Sequence, residues 1–393
     1  MSELLESRWH DTKEALLEGL QGNKRTVMGV TLENTRKHLV ESATAGATSA
    51  GNVATLNRVI LPVIRRVMPT VIANELVGVQ PMTGPVGQIH TLRVRYSDSV
   101  TSGETVSAGE EALSPFRIAA AYSGNNSTTP GGTSTAALEG RAGNKMSIQI
   151  LKQVVEAKTR KLSARWTFEA AQDAQAQQGI DIEAEIMAAL AQEITAEIDQ
   201  EILASLSSLA GSAVLDYDQA AVSGTATFVG DEHAALAVQI NRVANLIAQR
   251  TRRGAGNWAV VSPFALTILQ SATTSAFART TEGTFEAPTN TKFVGTLNSA
   301  MRIYVNAYAN DATDILIGYK GSSESDAPAF YCPYIPLMSS GVVLDPATFE
   351  PVVSFMTRYG YVELSNAASS LGNAADYLGK VGLNATFGNV KFS

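Results

Sequence analysis

The sequence predicts an α+β fold, and three observations lead to that prediction. Two regions with helical periodicity, residues 162–209 and about 231–253, lie in the middle of the chain. A run of strand candidates follows them, and this separation of helices from strands is typical of α+β proteins. No internal repeat of fixed period is visible, and a chain of 393 residues corresponds to roughly two or three domains or lobes.

The composition indicates a chain that buries much of its surface. Hydrophobic residues make up 45% and charged residues only 17%, below the typical ~25%. So few charges imply burial within the chain or against copies of it, and we favour copies. The net charge of −7 argues against tight nucleic-acid binding, which needs clustered Lys and Arg. An inner wall that merely faces nucleic acid stays compatible with this charge.

Targeting and redox signals are sparse. The first twenty residues lack a basic start followed by an apolar run, so we expect no secretory signal. No apolar run approaches the ~18–20 residues of a membrane span, so we expect no membrane contact and synthesis in the cytosol. Cys332 is the only cysteine, which excludes an intramolecular disulfide and a Cys-based zinc site. We expect a buried, inert thiol.

The N-terminal part changes character abruptly. Residues 1–41 carry seven acidic and six basic residues, with leucines at near-helical spacing. This pattern predicts short amphipathic helices with little capacity to form a core. From Ser42 to Asn57 no residue is charged, and small residues at 42–55 predict a flexible tether.

A long polar region follows the first strand candidate. The stretch "IHTLRVRY" alternates apolar and polar residues, as a strand does. Residues 97–145 are rich in Ser, Thr, Gly and Asn, and a structureless loop of that length is improbable in a compact domain. The stretch is therefore either disordered or a long two-stranded arm that lies on a neighbouring subunit, and we prefer the arm because "FRIAAAY" is a strand candidate in its middle.

The strongest helical signal spans residues 162–209. We expect a first helix over "KLSARWTFEAAQDAQAQQ", ending at Gly179, and a second that Asp181 caps. In the second, apolar residues recur every four positions, so their stripe drifts by ~40° per step, which suits a helix crossing obliquely over a sheet. We expect its carboxylates to form a solvated face or to meet a neighbour's arginines: Glu183, Glu185, Glu193, Glu197, Asp199 and Glu201.

A third helix is predicted from Asp231, as N-cap, to the cluster "RTRR". Positive charge at a helix C-terminus is favourable, and Gly254 suits a left-handed C-cap. Next, "NWAVV" predicts a strand, with Ser262 as cap and Pro263 as first residue of a following helix. Four further strand candidates complete the pattern: "MRIYVNAY", "DILIGY", "AFYCPYIPLM" and "EPVVSFMTRYGYVEL".

The chain carries no grouping typical of an enzyme. The four histidines are scattered, and the zinc-protease, nucleophile-elbow, P-loop and dinucleotide motifs are absent. The carboxylate pair Glu110 and Glu111 lies in the polar arm, where solvation is the ordinary state. We therefore predict no catalytic, cofactor-binding or metal-binding residues and a structural protein.

Three long blocks carry a resemblance to a known family. These are "ILPVIRRVMPTVIANELVGVQPMTGPVGQI", "RKLSARWTFEAAQDAQAQQGIDIEAEIMAALAQEITAEIDQEIL" and "GYKGSSESDAPAFYCPYIPLMSSGVVLDPATFEPVVSFMTRYGYV". Together they are similar to the major capsid protein of T-even-like tailed phages. The resemblance implies the Hong Kong 97-type capsid fold. The expected division is a removable segment 1–41, an N-terminal arm 42–95, an E-loop 96–145, a peripheral domain with a long spine helix 146–230, an axial domain 231–345 and a peripheral return 346–393.

The resemblance also implies partners and a location. It implies self-assembly into hexamers that form an icosahedral or prolate head around double-stranded DNA, without specific DNA binding. It further implies a vertex protein, an inner scaffold, a prohead protease and decoration proteins as partners. Assembly is expected in the host cytoplasm, and the final location is the virion capsid, with no cofactor.

The family's protease cuts after Glu in a Leu/Ile-x-Glu pattern, and Leu39-Val40-Glu41 fits it. We predict a cut between Glu41 and Ser42, because small, flexible residues follow. Two other sequences, Leu4-Leu5-Glu6 and Leu16-Leu17-Glu18, also match, and the charge discontinuity selects Glu41.

Inter-subunit ion pairs are the other prediction for specific residues. The candidates for them are Arg58, Arg65, Arg66 and Glu75, with pairing inside the subunit as the alternative.

Other functions stay open from sequence. The vertex protein of the same family, which forms pentamers, is the nearest alternative. A cellular nanocompartment shell of the same fold would lack a removable segment. An enzyme with an unrecognised site is the alternative from another class.

Overall fold

The computed structural model describes most of the chain outside the N-terminal region. The described residues are Trp9, Lys13, Glu14, Leu17, Gly22, 25–34 and 72–383, with gaps at 101–105, 111, 113–121, 125–131, 141, 173–181, 219–228, 272–276, 280–291, 299, 311–312, 346, 349 and 365–372.

The described chain combines α-helices with sheets whose strand pairs are mostly antiparallel, which confirms the α+β prediction. The helices are α1 (25–34), α2 (Ala73–Leu76), α3 (Thr135–Leu138), α4 (168–172), α5 (Ile182–Ala210), α6 (Val229–Thr251) and α7 (Pro263–Ser271), followed by a 3₁₀ turn (Ala374–Tyr377). The strands are β1 (Gly78–Val79), β2 (Val86–Tyr96), β3 (Met146–Glu156), β4 (Lys158–Arg165), β5 (Leu215–Tyr217), β6 (Trp258–Val261), β7 (Phe277–Arg279), β8 (Lys292–Leu297), β9 (Met301–Val305), β10 (Ile315–Gly318), β11 (Ala329–Ser339), β12 (Val343–Leu344), β13 (Pro351–Glu363) and β14 (Leu378–Leu383).

One sheet has five strands and is organised around β13. Its order is β1-β11-β13-β12, and β4 pairs with β13 in antiparallel register. The β11–β13 ladder shifts register between Pro333 and Ile335 and again between Ile335 and Met338. Proline has no N–H to give to a ladder, so Pro333 and Pro336 explain why the pairing is interrupted at these places.

The second sheet has seven strands in the order β5-β14-β10-β6-β9-β8-β7. Helices α6 and α7 pack on it, and their side chains form one apolar core with β6, β9, β10 and β14. Strands β6 and β10 are buried along their whole length. Helix α7 begins as predicted: the N–H of Ala265 donates to Oγ of Ser262 at 3.2 Å, and Pro263 is the first helical residue.

Helix α5 connects the two sheets, because it packs on β4 and β13 of the first and on β14 of the second. It runs for 29 residues without Gly or Pro and stops before Gly211, whose φ of +70° is the left-handed conformation typical of a helix end. The predicted stripe is confirmed, since Leu190, Ile194, Ile198 and Ile202 are buried. Asp181, the predicted cap, lies outside the described residues.

Asp199 corrects the prediction of a solvated carboxylate face on α5. Glu193, Glu197 and Glu201 are exposed as expected, but Asp199 has no exposed surface. Asp199 lies four residues after Thr195 and three before Ile202, both of which are buried, so the three side chains share the inner face of the helix. The helical pattern alone does not show how wide the covered face is.

The first part of the predicted helix near residue 162 is wrong. Residues 158–165 form strand β4, which pairs with β13. Within the predicted first helix, only residues 168–172 are described as helical. The stretch alternates exposed and half-buried side chains, a period of two that the neighbouring Ala- and Gln-rich sequence obscured.

The predicted ends of α6 also need correction. The helix begins at Val229, so Asp231 is a helical residue and not the N-cap. At the other end the left-handed residue is Arg252, with φ of 53°, and not Gly254. Gly254 is needed for a different reason, since a Cβ there would overlap the ring of Tyr319. Arg250 does lie in the last turn, where the helix dipole favours it.

The N-terminal segment contributes to the core, contrary to the prediction of little core-forming capacity. Helix α1 buries Val27, Met28 and Leu32 in the same cluster as Leu76 and Ile194. The apolar face of a short helix is too small to form a core alone, but here the rest of the chain completes it.

The sheets group the chain differently from the expected domain ranges. Strand β11, expected in the axial range, belongs to the five-stranded sheet, and β14, expected in the peripheral return, belongs to the seven-stranded sheet. The division into domains stays a prediction.

Candidate assembly surfaces

The residues on either side of the predicted arm 97–145 form a long two-stranded ribbon, so its strands lie just outside the predicted range. Strands β2 and β3 pair antiparallel over eleven residues each, from Val86 opposite Glu156 to Tyr96 opposite Met146. At the end of the ribbon, the ring of Tyr96 packs against that of Tyr122, with ring centroids 4.5 Å apart. The predicted strand "IHTLRVRY" lies within β2, whereas most of "FRIAAAY" lies outside the described residues.

One face of strand β3 in the ribbon carries four exposed apolar side chains. Ile148 and Ile150 leave 66% and 65% of their surface in contact with solvent, and Met146 and Val154 on the same face are exposed as well. Alternate residues of a strand point to the same side, so these side chains share one face of β3, on which Lys152 separates Ile150 from Val154. We name Met146, Ile148, Ile150 and Val154 the arm stripe.

An exposed stripe of this size is unusual for a soluble surface and typical of a contact site. Sequence reasoning missed it, although the alternation in "MSIQILKQVVE" is the available signal. Val343 and Leu344 of β12 form a second, smaller exposed apolar patch, 57% and 44% exposed.

At the ribbon's base, an arginine joins three elements. Arg160 of β4 donates to Oε2 of Glu197 at 2.7 Å and to Oε2 of Glu201 at 2.6 Å, both on α5. Its Nε donates to the hydroxyl of Tyr359 on β13 at 2.6 Å, and that hydroxyl in turn donates to Glu201. Burial disfavours the charged form of Glu201 and would raise its pKa. The hydrogen bonds from Tyr359 and Arg160 outweigh this effect, so the pKa of Glu201 is lowered. These α5 carboxylates therefore meet an arginine of their own chain.

Among the predicted ion-pair residues, the structure describes Glu75. It accepts a hydrogen bond from Arg302 at 2.9 Å and a longer one from the hydroxyl of Tyr304 at 3.4 Å. Pairing within the chain, the alternative interpretation, is thus present, and a contact across subunits stays a prediction. Arg58, Arg65 and Arg66 lie outside the described residues, as do the predicted cleavage residues Leu39, Glu41 and Ser42.

Asp199 binds the segment that precedes strands β1 and β2. Its Oδ1 accepts a hydrogen bond from the N–H of Ile72 at 2.9 Å, while Oδ2 is buried without a hydrogen-bond partner among the described residues. Burial is the main reason why the pKa of Asp199 rises to about 7, and the bond from Ile72 opposes that rise. This carboxylate also contributes to raising the pKa of Tyr331, after burial and Tyr359.

The described residues contain no cluster of three metal-ligating side chains. The thiol of Cys332 is buried, and burial raises its pKa to about 12, which makes it a poor nucleophile. None of the described helices is long and apolar enough to cross a membrane.

Arg253 of the "RTRR" cluster pairs with Asp326 at 2.6 Å.

Known proteins are similar in sequence to this chain over most of its length. The model of the family described as Major capsid protein Gp23 matches residues 53–383. The major capsid protein of Vibrio phage KVP40 is 30% identical over 442 aligned residues, covering 88% of this chain and 84% of the relative. The major capsid protein of Enterobacteria phage T4 is 29% identical and covers 80% and 76%.

A solved structure from Mycobacterium phage Bobi covers 79% of this chain and 90% of its own, with a TM-score of 0.48 and 11% identity. The sequence relatives are named for a structural role in the capsid and not for a catalytic one. The length and extent of the family match identify the chain: it belongs to the family of the major capsid protein Gp23 and is a shell-forming subunit of a tailed-phage capsid.

Proposed function

We propose that the chain assembles through its arm into hexamers that tile an icosahedral or prolate head around double-stranded DNA. The observation that carries this proposal is the arm stripe. An isolated ribbon with an apolar face is only marginally stable in water, so a covering surface lowers its free energy. A second copy of the chain is the natural cover, because in a ring each subunit presents the same arm to the next.

The arm contact gains strength by repetition. Each subunit of a closed lattice touches several others, so contacts that are individually modest become effective together. The β12 patch offers a second site on the same subunit. The DNA inside would be held without specific binding, consistent with the net charge of −7. Vertex, scaffold, protease and decoration proteins would complete the particle, with assembly in the host cytoplasm.

Charge substitutions on the arm test this proposal. Ile148→Asp with Ile150→Asp places two carboxylates on the stripe and is expected to abolish rings and shells. The matched control is Ser147→Asp with Gln149→Asp, on the opposite face of β3 and also exposed. Sedimentation velocity and negative-stain microscopy of the expressed chain give the readout. Wild-type assembly by the stripe variant would refute the proposal.

Six-fold rings in the same images would support the hexamer over the pentameric vertex protein. Hundreds of copies in each particle would also favour the major protein, whereas a few dozen would favour the vertex protein. A monomer with turnover would favour an enzyme.

Maturation by a cut between Glu41 and Ser42 is part of the same proposal. Two observations support the position. The family match begins at residue 53, beyond the charged segment. Leu17, within the competing Leu16-Leu17-Glu18 pattern, is buried and therefore poorly accessible to a protease. N-terminal sequencing of mature particles is expected to start at Ser42, and a start at Met1 or Ser2 would overturn this step.

A further inference from the structure

Helix α1 packs one face into an apolar groove formed by the rest of the subunit, which we call the body. Val27 and Met28 are 2% exposed and Leu32 is fully buried. They share one packed cluster with Ile72, Leu76 and other body residues. The other side of the helix is more exposed to solvent, with Arg25 and Thr26 exposed. This one-sided burial is the pattern of an amphipathic helix in an apolar groove.

A pair of hydrogen bonds fixes the end of the helix. The side-chain amide of Asn34 donates to the carbonyl oxygens of Met82 at 2.8 Å and of Tyr334 at 2.9 Å. Tyr334 lies at the first register shift of β11, between Pro333 and Ile335, so it is not a ladder position. The irregularity in β11 thus leaves a carbonyl for Asn34 to bind.

The outer contacts of α1 are weaker. Glu33 accepts from the indole N–H of Trp9 at 3.2 Å and lies 3.5 Å from Nζ of Lys13. Arg25 pairs with Glu14 at 2.8 Å, with both side chains about half exposed. Exposed pairs of this kind contribute little to binding. The inner face and Asn34 therefore hold the helix.

We infer that the surface beneath α1 is a binding site for a short amphipathic helix, and that residues 25–34 occupy it as a ligand able to leave and rebind. None of the described strand pairings includes these residues, so the sheets keep their ladders when α1 departs. A free helix as short as α1 is marginal in water, so release unfolds it and rebinding folds it again.

This inference rests on the proposed function at one point, the event that frees the helix. A cut after Glu41 would leave α1 held by noncovalent contacts. Release would then uncover an apolar groove and the carbonyls of Met82 and Tyr334. Before the cut, the tether keeps the local concentration of α1 high and the groove filled. The cut converts a permanent contact into a reversible one.

The test uses the purified full-length chain with a specific protease site inserted after Ser42. After cutting in vitro, a labelled peptide of residues 1–41 is added in excess, and its exchange with the resident fragment is followed by anisotropy and native mass spectrometry. We expect saturable one-to-one exchange. A Leu32→Asp peptide should bind at least roughly 100-fold more weakly, because a charge replaces a buried side chain.

The matched control is a Thr26→Asp peptide, which should bind within about three-fold of wild type because Thr26 is exposed. Both substitutions lie in the added peptide, so the body stays wild type. A fragment that never exchanges, or equal binding of both variant peptides, would overturn the inference. Assembly is measured separately on uncut chains, so failure here and failure of the arm proposal remain distinguishable.

Discussion

Asp199 and Ile72 are joined by a hydrogen bond of 2.9 Å although 127 positions separate them in sequence. The bond attaches the segment before the arm to the middle of α5, inside the largest apolar cluster. The second carboxylate oxygen has no hydrogen-bond partner in the described part of the chain, so the charged form of Asp199 is poorly compensated. The contact between the segment around Ile72 and helix α5 therefore depends on the protonation state of Asp199.

The Asp199→Asn variant should make stability less dependent on pH. The pKa of Asp199 is raised from 3.8 to about 7 in the folded chain. The folded state then binds more protons than the unfolded state between those values, so wild-type stability falls as pH rises from about 4 to 7. A shift of about three units corresponds to a loss of roughly 4 kcal/mol relative to the Asp199→Asn variant.

Urea denaturation of the unassembled chain at pH 5 and pH 8 measures this difference. The gain in stability of the Asp199→Asn variant at pH 8 is reduced by about 1–3 kcal/mol, because its amide NH₂ group replaces an oxygen that has no hydrogen-bond partner in the described part of the chain. Glu193→Gln, an exposed site on the same helix, is the control and should behave as wild type. A stability difference between wild type and the Asp199→Asn variant that is constant with pH contradicts the prediction.

The Arg160 network predicts measurable coupling between β4 and α5. Replacing Arg160 by Lys removes the planar group that reaches Glu197, Glu201 and Tyr359 together. We expect a loss of about 1 kcal/mol, since the carboxylates are partly exposed and solvent screens them. A double-mutant cycle with Glu201→Gln should give a coupling energy of about 0.5–1 kcal/mol that shrinks in about 1 M salt. Strict additivity would show that the residues do not cooperate.

Gly318 should not tolerate a side chain. It pairs with Trp258 across β10 and β6, and a Cβ at Gly318 would overlap the buried indole ring. Gly318→Ala is expected to destabilise the chain by about 1–3 kcal/mol or more through overpacking. Gly143→Ala, where no described atom lies within 4 Å of the added Cβ, is the control and should change stability by less than about 0.5 kcal/mol. Equal melting temperatures for both variants would refute this role of Gly318.

Ser262 should stabilise the start of α7. Ser262→Ala removes the acceptor for the N–H of Ala265 and is expected to cost about 1 kcal/mol. Ser262→Thr keeps a hydroxyl acceptor at this buried cap without adding a charge and should lose less stability than the Ala variant. Thermal unfolding of the three chains gives the comparison, and an Ala variant as stable as wild type would exclude the cap as a significant contribution.

Features that depend on neighbouring residues along the chain were predictable from sequence. The stripe on α5 and the Ser262-Pro263 start of α7 were predicted correctly because periodicity and capping are local properties. The strands β9, β10, β11 and β13 were predicted for the same reason. The predicted two-stranded arm 97–145 lies between the two strands that form the ribbon, and the exposed apolar residues of β3 were readable from its alternation but were not recognised.

Tertiary structure decided what each buried face packs against. A helical pattern shows that one side is covered, but not by what, so the burial of Asp199 and of α1 appeared only when α5, β11 and the N-terminal segment were brought together. Residues 158–165 form a strand because β13 supplies a pairing partner nearly two hundred residues later. Such contacts join parts of the chain far apart in sequence, and no local preference contains them.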